Sequence, residues 1–106
     1  MNRKLYEMRA QILKALAHPS RLIIVDVLNE RGEVCACDLM EIVGSDQSTV
    51  WKHLSILKQA GIVDYRKEGK SSVYRLLRPC VMNFFECVEQ VMEENLKEQQ
   101  KIMANS

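Results

Sequence analysis

Along most of the chain apolar residues return every three or four positions, the period of a helix with one buried face. Leu5, Met8, Ile12, Leu13 and Leu16 mark a first helix over residues 4–17, which stops at Ala17-His18-Pro19 because proline cannot continue it. Leu22, Ile23, Val25 and Leu28 mark a second, from Ser20 to Glu30, closed by Arg31-Gly32-Glu33. Residues 34–43 make a short third helix after an extended lead-in, and Gly44-Ser45 forms the turn that follows. Val50, Leu54 and Leu57 keep one face of a fourth helix apolar over residues 47–60, between polar capping residues and Gly61. The period then drops towards two over residues 62–77, where β-branched residues flank Glu68-Gly69-Lys70, the signal of a hairpin turn. Arg78-Pro79 starts a last helix over residues 80–101, with Val81, Phe84, Phe85, Val88, Val91, Met92 and Leu96 on one stripe.

The third helix, a glycine-containing turn and the fourth helix make a helix-turn-helix, and a hairpin directly after it is a wing. The expected fold is therefore mainly α with a small β-hairpin: one winged helix-turn-helix domain over residues 1–106. The fourth helix leaves Gln47, Ser48, Thr49, Trp51, Lys52, His53 and Ser55 on or near its polar faces, where short side chains reach base edges and phosphates. Arg66, Lys67, Lys70 and Arg75 add cations around the hairpin tip.

Charge sharpens that picture. The net charge is only +1, but residues 46–78 carry seven basic side chains against three acidic, while residues 79–106 carry two against five. Positive charge is gathered on the proposed reading head. The last-helix stripe is too long for so small a core to cover, and the simplest cover is a second copy, which would put two reading heads on a palindromic operator. A protein-binding module that uses Phe84 and Phe85 and never touches DNA is the alternative from another class.

At 106 residues the chain is sized for one domain. Its charged N-terminus does not read as a signal peptide, and no apolar run approaches the ~18 residues that span a membrane, so a cytoplasmic location is expected. No nucleophile with a base and an orienting acid, and no glycine-rich phosphate loop, can be argued from spacing. An enzyme is not expected.

The four cysteines are the remaining chemistry, and in a reducing compartment they serve better as thiolates than as a disulfide framework. Cys35 and Cys37, as C-x-C at a helix start, place two soft sulfurs together where helical partial charge favours thiolate. Such a pair suits trivalent arsenic or antimony, cadmium, lead, zinc or copper(I), or serves as two small core residues. Cys80 and Cys87 share a face of the last helix but lie ~10 Å apart along its axis, too far for one disulfide. They are packing residues or part of a redox or persulfide switch.

In order along the chain, Leu16-Ala-His-Pro-Ser-Arg-Leu22, Val34-Cys-Ala-Cys-Asp-Leu39, Gln47-Ser-Thr-Val-Trp-Lys-His-Leu54, Leu57-Lys-Gln-Ala-Gly-Ile-Val63, Arg66-Lys-Glu-Gly-Lys70 and Tyr74-Arg-Leu76 resemble the ArsR/SmtB family of metal-sensing bacterial repressors. The resemblance implies a homodimer through the first and last helices that binds double-stranded operator DNA. It places Gln47, Ser48, Thr49, Lys52 and His53 at reading positions and gives Arg66, Lys67 and Lys70 to the wing. C-x-C-D-L also resembles the arsenic-sensing branch, which implies As(III) or Sb(III) on Cys35 and Cys37 as inducer. That branch carries a third cysteine where this chain has Met40, so the third ligand is left to Cys80, Cys87 or a small cellular thiol. The N-terminal cysteines of the family's cadmium and lead sensors are not matched, since residues 1–34 contain none. Nor is the zinc sensors' last-helix cluster, whose positions hold Arg78, Cys80 and Val91. A divalent-metal sensor and a thiol-redox or persulfide sensor of the same fold remain open alternatives.

Overall fold

Each of the first four helices begins where the sequence offers its free N–H groups an acceptor. The computed structural model, which describes residues 1–105, runs α1 (Arg3–Leu16), α2 (Pro19–Arg31), β1 (Glu33–Cys35), α3 (Ala36–Val43), α4 (Gln47–Gln59), β2 (Val63–Glu68), β3 (Ser71–Leu76) and α5 (Val81–Ala104). Asn2 caps α1 by accepting from Lys4 N, and His18 caps α2 through Nδ1, which accepts from Ser20 N at 3.1 Å, with Pro19 in the first turn. Asp46 caps α4, its Oδ1 accepting from Thr49 N at 2.8 Å. Gly44 ends α3 in the left-handed region, at φ 75°, which lets the chain turn sharply into α4.

The hairpin expected over residues 62–77 is β2 and β3, paired antiparallel with Tyr65 opposite Tyr74 and Arg66 opposite Val73. The structure adds a strand to it. The lead-in to α3 is β1, which pairs antiparallel with β3 to give the sheet order β1-β3-β2, with Val34 opposite Tyr74 and Cys35 opposite Val73. Three residues are too few for an alternating pattern to show, so periodicity could not reveal this strand.

The core lies where α2, α3 and α4 meet the sheet. Ile24, Val25, Leu28, Leu39, Val50, Leu54, Leu57 and Val63 are fully buried, with Val34, Ile62 and Tyr74 beside them. Truncating one such leucine to alanine costs roughly 2–5 kcal/mol, so α4 is anchored by its apolar face. The two outer helices differ. Only Ala15 and Leu16 of α1 are buried, and α5 buries none of its residues, touching the core through the half-buried Val81, Met82 and Phe85. Leu5, Met8, Ile12 and Leu13 on α1, and Phe84, Val88, Val91, Met92 and Leu96 on α5, all stand exposed.

Candidate nucleic-acid interface and thiol site

With Val50, Leu54 and Leu57 turned inward, α4 presents Gln47, Ser48 and Lys52 to solvent and holds Thr49 half-buried at its first turn. Ser48 Oγ donates to Asp46 Oδ1 at 2.9 Å, beside the bond from Thr49 N. The Thr49 backbone N–H, then the Thr49 and Ser48 side chains, hold the Asp46 carboxyl below its ordinary value and keep the cap charged. The start of α4 is therefore ordered before any ligand arrives. In the wing, Lys67 and Lys70 are exposed and, among the described residues, form no ion pair. Arg66 is also exposed, but its guanidinium is engaged, donating to Glu33 at 2.6 Å and to Glu68 at 3.3 Å.

His53 corrects the expectation of a reading residue. The residue is only 5% exposed and its ring lies tilted by 50° against that of His18 with centroids 4.3 Å apart, while its Nδ1 accepts from Arg21 Nε at 3.1 Å. The helical period explains the error. His53 precedes Leu54 and sits three residues after Val50, so it falls at the margin of the buried stripe, where Arg21 supplies the partner that a buried imidazole needs. Arg21 also reaches the Lys14 and Ala15 carbonyls, each at 3.4 Å, and so joins α1, α2 and α4. Burial first, then the electrostatic influence of His18, Arg21 and Lys52, pushes the His53 pKa below its ordinary value.

Cys35 ends β1 and Cys37 lies in the first turn of α3, and the strand-to-helix bend between them brings their sulfurs together with the Asp38 carboxylate. These three ligand atoms lie within 4.8 Å of one another, the one such group of three among the described residues. Cys35 is half-buried and Cys37 and Asp38 are exposed, so the site is open to solvent. Cys35 Sγ accepts from Asp38 N at 3.4 Å, as the α3 cap. That bond favours thiolate, as expected of a helix start, but the net direction is upward. The hydrogen bond with the Cys37 thiol raises the Cys35 pKa first, and burial and the Asp38 charge add to it.

Within one protomer neither Cys80 nor Cys87, the candidates for a third ligand beside a small cellular thiol, belongs to this group. Both are exposed, Cys80 just before α5 and Cys87 on it. Met40, at the position of the absent cysteine, packs half-buried against the core. Asp38 is the neighbour that spacing arguments passed over. Its place directly after C-x-C was visible, but only the helical turn shows that residue 38 folds back towards the Cys35 sulfur.

The profile described as "Bacterial regulatory protein, arsR family" matches residues 18–65, from the α2 cap to the middle of β2. The chain is 42% identical over 71 residues to the arsenical resistance operon repressor of Staphylococcus xylosus, covering 67% of either protein. It is 35% identical over 83 residues to the cadmium resistance transcriptional regulatory protein of Listeria innocua, covering 78% of this chain and 70% of that one. Among solved structures, a homodimeric winged helix-turn-helix DNA-binding domain from Mycobacterium bovis, itself described as a possible ArsR-family transcriptional regulator, superimposes with a TM-score of 0.75 at 33% identity, covering 92% of each chain.

Proposed function

The chain belongs to the ArsR family of bacterial transcriptional regulators, and from that premise we propose that it is a dimeric operator-binding repressor released by a thiophilic metalloid, As(III) or Sb(III), held on Cys35 and Cys37. One observation carries the reading: the thiol pair spans the junction of β1, a strand of the wing's own sheet that ends at Cys35, and α3, the first helix of the helix-turn-helix, whose first turn holds Cys37. A change at the sulfurs therefore acts on both parts of the reading head.

The DNA side rests on Gln47, Ser48, Thr49 and Lys52 at the start of α4 and on Lys67 and Lys70 at the wing, with Arg66 available once its carboxylates release it. Phosphate contacts set the orientation, and the short polar side chains address base edges. A dimer supplies two such heads. Its support is the surface: 7909 Å² is exposed by a 12.3 kDa chain, against about 6,100 Å² expected of a compact monomer of that mass. A large apolar share of it lies on α1 and α5, the pair through which a two-fold dimer would close.

On the inducer side, two thiol sulfurs fit a soft ion, which would draw Cys35 and Cys37 together as thiolates. Cys35 Sγ is at the same time the cap of α3, so ligation competes with its bond from Asp38 N and disturbs the helix that leads into Gly44 and α4. It also loads β1, from which Glu33 reaches Arg66 in the wing. A coupling of about 1–3 kcal/mol between the sites corresponds to a 5- to 150-fold loss of DNA affinity.

The Asp38 carboxylate favours a second reading. A hard oxygen beside two sulfurs suits cadmium or zinc better than a purely thiolate-bound metalloid. Fluorescence anisotropy of a labelled duplex from the gene's upstream region decides between them when arsenite, antimonite, cadmium and zinc are titrated separately into the reduced complex. Release by arsenite or antimonite at near-stoichiometric amounts supports the metalloid repressor. Release by cadmium or zinc alone moves the inducer to a divalent ion.

A further inference from the structure

On the side of α4 that faces the wing, the structure has an open cleft of about 310 Å³, floored by aromatic rings and rimmed by unneutralised cations. Its floor is Trp51 edge-on to Tyr74, with centroids 6.4 Å apart, and Tyr65 against Tyr74 at 5.2 Å. Its cations are Lys58, whose Nζ lies 5.6 Å above the Tyr65 ring, and Lys67 on the same sheet face as Tyr65. Neither has a carboxylate partner among the described residues, and no acidic side chain lines the cleft. The opposite face of that sheet is built otherwise, for there Arg66 is neutralised by Glu33 and Glu68. Lys67 thus lacks the ion pairing that Arg66 has on the opposite face. Ser55 adds an exposed hydroxyl at the rim, with no hydrogen bond to another described residue.

The geometry points to a phosphodiester-binding cleft: Lys58, Lys67 and Ser55 receive one backbone phosphate of duplex DNA, and Trp51 and Tyr65 pack against its deoxyribose. This rests on the DNA-binding reading above and extends it to residues outside the α4 N-terminus and the wing tip. The cleft lies between α4 and the wing's sheet, the two elements that carry the proposed DNA contacts. An ammonium group over a ring face, as Lys58 has, offers charge without a fixed angular demand, which suits a backbone and not a base edge. A free phosphate shares the charge chemistry but lacks the sugar that the aromatic floor would cover.

The test measures duplex affinity against salt concentration for the full chain and for Lys58→Gln, Ser55→Ala, Lys52→Ala and Lys97→Gln, with thermal unfolding as a check on folding. Each lost phosphate contact lowers the slope of log affinity against log salt by about 0.9. Lys58→Gln is expected to lose that amount per protomer and Ser55→Ala to weaken binding several-fold at unchanged slope, while Lys97→Gln, on α5, matches the parent. Trp51 is the sole tryptophan, so its emission should change on adding duplex and stay constant with millimolar inorganic phosphate. A parent slope that falls in Lys52→Ala but not in Lys58→Gln overturns the cleft and leaves DNA binding standing. Emission that saturates with inorganic phosphate overturns the backbone source. No salt-dependent duplex binding by the parent overturns the reading and the cleft together.

Discussion

The chain holds two pairs of cysteines, and the structure treats them oppositely. Cys35 and Cys37 straddle a strand-to-helix bend, so a two-residue separation brings their sulfurs within 4.8 Å of each other and of a carboxylate. Cys80 and Cys87 stand on and beside one straight helix, where seven residues span ~10 Å, and both face solvent in a protomer whose α5 buries nothing. Sequence separation alone does not make a chelate. Here the break in secondary structure brings the sulfurs together, and it ties Cys35 to the wing's sheet through β1 and Cys37 to the helix-turn-helix through α3.

The largest expected effect breaks the first pair. Cys35→Ser and Cys37→Ser should each bind operator DNA like the parent and lose arsenite release, a change of about 5- to 150-fold in the released affinity, read by anisotropy. The matching change in the second pair, Cys80→Ser with Cys87→Ser, should leave release intact. If it abolishes release, the third ligand comes from α5 of a partner copy.

Asp38→Asn sharpens the first site. Without the charged oxygen, cadmium should bind about tenfold more weakly while arsenite is little changed, as competition with a chromogenic chelator would report. An equal loss for both ions would place Asp38 in the cap and not at the metal.

Glu33→Gln tests the link between the thiol strand and the wing. It removes the closer of the two carboxylate partners of Arg66 and leaves Glu68 at 3.3 Å, so operator affinity should rise up to a few-fold with a steeper salt dependence, and the release on arsenite should shrink. Unchanged affinity would mean that Arg66 stays off the DNA.

The smallest effect lies on the far side of α4. Burial, with His18, Arg21 and Lys52 nearby, keeps His53 neutral in the fold, so the unfolded chain takes up a proton that the folded chain refuses. The fold keeps its full stability above the ordinary histidine value of about 6.5 and loses part of it as pH falls from there towards the depressed folded value. His53→Gln should flatten that segment of the pH-stability curve in urea titrations.

Helix periods and the turn at Gly69 made the five helices and the hairpin legible in the sequence, because each depends on local spacing. β1 was not, since its three residues pair with β3 about forty positions away, and that contact has no local signature. The thiol pair was legible from C-x-C, but Asp38 and the Glu33–Arg66 bridge needed the fold. His53 misled because a helix margin can turn either way, and only Arg21, thirty-two residues upstream, decides it. The cleft residues Trp51, Tyr65 and Lys58 come together only because α4 and the sheet lie side by side, a contact with no local signature.

Thermodynamic reciprocity gives the most direct test of a thiol site coupled to the reading head. Arsenite affinity is measured for the free protein and for the operator complex, beside operator affinity with and without saturating arsenite. The account predicts that operator DNA weakens arsenite binding by the same factor by which arsenite weakens operator binding. Equal arsenite affinity in the free and DNA-bound protein would contradict it.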